Sequence, residues 1–109
     1  MKIRDVVEKT GASVLVPGDM ERDLKGAISG DLLSFIMAEA REGWLWITIQ
    51  VHLNVAAVAV LKDVPCILVA SGRPPEQALS ERCAVEGITL AVTPLSAFDA
   101  AGLLRELAL

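Results

Sequence analysis

The sequence predicts an α/β fold, a small layered domain with a mainly parallel sheet flanked by helices. Three observations carry this expectation. Segments 44–49, 65–70 and 88–92 are short and apolar on successive residues, as strands covered on both faces must be. Between them lie segments 51–62 and 74–86, each of helical length. Strand and helix therefore alternate with short connections, which implies right-handed crossovers and parallel neighbours.

Ile3, Val6 and Val7 have helical spacing, and Gly11 supplies a stop. Residues 13–16 are β-branched and apolar, with a turn signal at Pro17-Gly18-Asp19. Residues 24–29 read as a weak second strand. Asp31 is suited to cap a helix over 32–41, with Gly43 at its end. In 44–49, Trp44, Trp46 and Thr48 point one way, and Leu45, Ile47 and Ile49 the other. Segment 51–62, rich in Ala and Val, reads as a helix despite its β-branching. Segment 74–86 reads as another, with Pro74 and Pro75 in its first turn and Gly87 closing it. Ser96-Ala97-Phe98-Asp99 resembles a capping box, followed by an apolar stripe of Leu103, Leu104 and Leu107.

A chain of 109 residues suggests one domain spanning 1–109. Charged residues at 22%, with eight Gly and five Pro, argue against disorder and fibrous repeats. The apolar share of 53% is high for so small a domain, so part of that surface is expected to lie against another chain. The net charge is −4 and the bases are scattered, which argues against a nucleic-acid or anionic-membrane footprint. Residues 1–5 carry charge where a signal peptide would be apolar. The longest apolar run, 55–61, is far below the ~18 residues that span a bilayer. A cytoplasmic location is the expectation. Cys66 and Cys83 show no CxxC spacing and no clustered His, so two buried, reduced thiols are expected.

Most polar residues in the apolar half of the chain fall just after the three strands. Thr48, Gln50, His52 and Asn54 follow the first, Ser71, Gly72 and Arg73 the second, and Thr93 and Ser96 the third. Ligands of parallel sheets bind beyond this edge, where helix starts offer free N–H groups. Each residue also has a purely structural reading. Asp31, Asn54 and Ser96 are good helix caps. Thr48 and Gln50 can satisfy backbone groups, and a lone His52 near a helix start is most simply a hydrogen bonder. Ser71-Gly72-Arg73-Pro74 is first a turn, although an arginine beside a helix start suits an anion. GxxxxGK[ST], GxGxxG, GxSxG and HExxH do not occur. Without a nucleophile and acid near His52, an enzyme is the least supported reading.

Gly30-Asp31-Leu32-Leu33, the run 46–55, Ile67-Leu68-Val69-Ala70-Ser71-Gly72-Arg73-Pro74-Pro75, and Thr93-Pro94 ahead of Phe98 resemble the DRTGG domain family, in the same order. The resemblance covers nearly the whole chain. That family is known mainly as a regulatory module, found beside CBS domains in regulated pyrophosphatases and as free-standing proteins. It is similar to the non-catalytic amino-terminal domain of HPr serine kinase. The resemblance implies an α/β domain that dimerises and has no established activity. It places the family's acidic position on Asp31 and its Thr-Gly-Gly position on Ala70-Ser71-Gly72, where the first two members differ. Family members often carry Asp-Thr-Phe where this chain has Ser96-Ala97-Phe98.

The combined expectation is a non-catalytic regulatory or ligand-sensing domain without a cofactor. It would act as a homodimer and bind a small anionic metabolite or nucleotide at the edge formed by Asp31, Thr48, Gln50, His52, Asn54, Ser71, Gly72, Arg73, Thr93 and Ser96. The alternative is a pure protein–protein assembly subunit that takes no small ligand. The dimer expectation rests on 32–37 and 55–61, which are apolar on every helical face, and it puts Ile36 and Val58 at the interface.

Overall fold

The computed structural model describes residues 1–109. Its elements in chain order are α1 (Ile3–Thr10), β1 (Ser13–Val16), β2 (Gly26–Ser29), α2 (Leu33–Glu39), β3 (Trp44–Thr48), α3 (Leu53–Leu61), β4 (Cys66–Val69), α4 (Gln77–Glu86), β5 (Thr89–Val92) and α5 (Ala97–Glu106). The five strands form one sheet in the order β1-β5-β4-β3-β2. β2 through β5 are parallel neighbours, and β1 joins β5 antiparallel at the rim. The fold is α/β with a mainly parallel sheet, as the alternation of elements predicts.

The doubly apolar strands are buried on both faces. Ile67 and Val69 of β4 pack with Trp46 into a core under α2, α3 and α4. Cys66 and Leu68 pack with Leu45 and Ile47 into a second core under α1 and α5. Putting α2, α3 and α4 on one face is what right-handed crossovers require when successive strands add in one direction. No helix is long and apolar enough to cross a membrane. Cys66 and Cys83 are buried and free.

Several local expectations are corrected. α2 starts at Leu33 behind Leu32, and Asp31 makes no cap bond to it. The carboxylate instead takes two donors from the end of β3. α4 starts at Gln77, so Pro74 and Pro75 precede the helix. Arg73 and Pro74 each precede a proline and are pushed out of the helical region, and Glu76 stands as the extended N-cap at φ −62°, ψ 147°. Ser96 does cap α5, its Oγ accepting from Asp99 N at 3.0 Å. The inward stripe of α5 is Ala100 and Leu104, while Leu107 is exposed. Ile36 and Val58 are core residues; the outward apolar positions are Phe35 and Met37 on α2, and Leu53 and Leu61 on α3.

Candidate functional site

Because β2 to β5 are parallel, their carboxyl ends meet at one edge. Ser29 lies opposite Ile47, Thr48 opposite Val69, and Val69 opposite Val92. The ladder continues past the strand ends through Gly30 N to Ile47 O at 3.1 Å, Ala70 N to Thr48 O at 2.9 Å, and Thr93 N to Val69 O at 2.8 Å. The chain therefore leaves the sheet in register, and the four exit loops lie side by side.

On the β2–β3 side, Asp31 organises the exit of β3. Its Oδ1 accepts from Thr48 Oγ1 at 2.9 Å and from Ile49 N at 2.8 Å. Thr48 Oγ1 in turn accepts from Gln50 N at 3.1 Å, and Gln50 Nε2 donates to Asp31 O at 3.0 Å. Asp31, Thr48 and Gln50 thus form one closed set of bonds. An ionised acceptor strengthens each bond it takes, and the set holds the loop into α3 in one shape. Trp46 Nε1 adds a bond to Gly30 O at 2.9 Å, so the buried indole also anchors the β2 exit.

The β4 and β5 exits are joined to each other. Ser71 N donates to Leu95 O at 2.7 Å, and Gly72 N to Thr93 O at 2.9 Å. Ser71 and Gly72 have φ of 59° and 62°, and Arg73 N reaches back to Ala70 O at 3.4 Å. Two consecutive positive φ values are those of the primed turns, which Gly accepts at no cost and Ser tolerates only when held. Thr93 is fully buried and holds the base of this structure. Its Oγ1 donates to Thr10 O at 2.7 Å and accepts from Leu95 N at 3.2 Å. No buried side-chain polar atom in the molecule lacks a partner.

Arg73 leaves the turn, and its Nη1 donates to Ile49 O at 2.6 Å. The guanidinium carries five N–H donors, and the rest of it is exposed at the rim. His52 stands immediately before α3, and its Nδ1 lies 2.9 Å from Glu76 Oε1 at the start of α4. Both side chains are half exposed or more, so the pair positions these helix starts more than it stabilises them. Asn54 is exposed in the first turn of α3 and does not cap it.

The expected residues therefore share the edge but play unequal parts. Asp31, Thr48, Gln50 and Thr93 are engaged in shaping the loops. Arg73, His52, Asn54 and the Ser71 hydroxyl face outward, and Ser96 is occupied as a cap. Glu76 is absent from the expected residues: in sequence it falls in the first turn of the helix expected over 74–86, and only the fold reveals that it meets His52. Phe98, 86% exposed at the start of α5, enters the sequence reading within a cap and within the family resemblance, not as a ligand contact. The edge is an open rim with no hollow lined by these residues. The largest hollow, about 480 Å³, lies beside Asp63 and Glu86 at the opposite ends of α3 and α4.

No protein-family model matches the sequence. No curated protein matches it at a significant level. Among solved structures, the fold is similar to the CBS and DRTGG domains of the regulatory region of Clostridium perfringens pyrophosphatase, solved with its activator diadenosine tetraphosphate. The TM-score is 0.76 at 16% identity, over 94% of this chain. The chain spans 45% of that structure's length. The likeness is one of fold.

Proposed function

We propose that this chain is a non-catalytic regulatory module of the DRTGG type, which senses a small anionic metabolite or nucleotide at the carboxyl edge of its sheet. The observation that carries the proposal is Arg73, which leaves the Ser71–Gly72 turn and reaches Ile49 O, just past the end of β3 on the loop that leads into α3. A guanidinium with unspent donors, on a loop that leads into a helix start, is suited to an anion. The similar regulatory region was solved with a nucleotide activator, which supports the same ligand class. The module acts as a homodimer, with the exposed apolar positions of α2 and α3 turned to a second copy.

A specific observation favours a second reading, that of an assembly subunit without a small ligand. Asp31, Thr48, Gln50 and Thr93 are already satisfied within the chain, and the rim has no hollow. Calorimetry against ATP, diadenosine tetraphosphate, inorganic phosphate and acetyl phosphate separates the two. The sensing reading expects a binding partner among these, weakened by Arg73→Ala and by His52→Ala. An assembly subunit binds none of them.

A further inference from the structure

Both phenylalanines of this chain are exposed, while Trp46 is fully buried and Trp44 half-buried. Phe98, at 86% exposure, is the most solvent-exposed of the large apolar side chains. It lies in the first turn of α5, where side chains lean toward the helix start. That direction is toward Leu95 and Pro94, three and four positions before it in sequence. That loop is the one bonded to the turn ahead of Arg73, through Ser71 N to Leu95 O and Gly72 N to Thr93 O. The loop that leads to Phe98 and the turn that leads to Arg73 are thus locked together by backbone bonds.

The surroundings of the ring limit what it can serve. One turn on is Gly102, where even an added Cβ would meet nothing within 4 Å. Apart from the exposed Pro94 and part-buried Leu95, its surroundings are Gly102 and the charged Asp99, so the apolar surface around it is small. A protein interface needs about 800 Å² on each partner, which one ring with Pro94 and Leu95 does not supply. A single planar heterocycle is matched to it in size. The charges at the edge point the same way. Asp31, Glu76 and Asp99 stand against Arg73 and His52, so a bare polyanion finds little net attraction. A ligand held here must gain affinity from something other than charge.

We infer that the occupant of this edge is a nucleotide whose base stacks on Phe98 while its phosphate meets Arg73. This rests on the sensing reading above and names the ligand class for the same site. Stacking on an aromatic side chain is tolerant of base identity, so the ring selects nucleotides over inorganic phosphates more than one base over another.

The test is calorimetry of the whole chain with ATP and, in parallel, with inorganic tripolyphosphate. Wild type should bind ATP at least tenfold more tightly than tripolyphosphate. Phe98→Ala, a change at an exposed position that leaves the fold intact, should weaken ATP roughly tenfold or more and leave tripolyphosphate unchanged. Phe98→Trp should keep ATP binding, and its added indole emission should be quenched as the base stacks. ATP affinity unaltered in Phe98→Ala overturns the inference while the sensing reading stands. Equal binding of ATP and tripolyphosphate by wild type does the same, since the base then contributes nothing. No binding of ATP by wild type removes the nucleotide reading and this inference with it.

Discussion

Thr93 is the residue on which the candidate edge most depends, because one buried hydroxyl serves two loops. It donates to Thr10 O and accepts from Leu95 N. Thr93→Val keeps the shape but leaves both backbone groups without that partner, at a cost of about 1–3 kcal/mol. Urea unfolding should show this loss, and an unchanged midpoint would mean that the two loops are held without the hydroxyl. The cysteines make a separate prediction. Burial pushes the Cys66 thiol up to about 12 and Cys83 to about 11, from an ordinary value of 9.0. The folded state thus favours the protonated thiols, and unfolding releases protons once unfolded thiols ionise. Their contribution is full below pH 9 and is lost as pH rises through 11 and 12. Thermal melts of wild type should therefore fall more steeply above pH 9 than those of the Cys66→Ala, Cys83→Ala double variant. Parallel curves would contradict the burial argument.

At the scale of elements, the strands were legible because burial on both faces leaves a dense apolar signature. β3 and β4 are found within a residue or two of their expected ends. Helix starts were less legible. Asp31 has the chemistry of a cap, but a nearer use for its carboxylate exists on β3, which is thirteen or more residues away in sequence and adjacent only in the fold. Pro74 and Pro75 suit a first turn individually, yet in tandem they keep the chain extended until Glu76. The edge as a whole followed from strand parallelism, whereas the His52–Glu76 pair needed the packing of α3 beside α4. The same limit applies to helix faces. In a helix that is apolar all round, composition does not reveal which side faces the sheet, and Ile36 and Val58 proved to face it. The exposed stripe of α3 is Leu53, Ala57 and Leu61, at successive i, i+4 positions. Leu61→Glu, at 68% exposure, should leave a single chain folded while breaking the proposed pairing. Circular dichroism should be unchanged and the light-scattering mass halved. A variant of unaltered mass would place the contact elsewhere.

For the molecule as a whole, the two ends of the sheet are chemically distinct. The carboxyl edge gathers Arg73, His52 and the start of α3, whereas the opposite edge gathers Asp19, Asp63 and Glu86 around the largest hollow. The helix dipoles favour an anionic ligand at the first edge, and the dipoles together with these acids disfavour one at the second. Wild type should scatter as a dimer, at about twice the 11.6 kDa of one chain, and a mass of one chain would refute the proposed pairing. Sensing at the carboxyl edge is tested most directly by a titration of the ¹⁵N-labelled protein with ATP, followed through its amide resonances. The amides of Ile49 to Asn54, Ser71 to Arg73 and Thr93 to Asp99 should move together and saturate, and Arg73→Ala should weaken the response. Shifts confined to the opposite edge around Asp63 and Glu86, or no shifts at all, would contradict it.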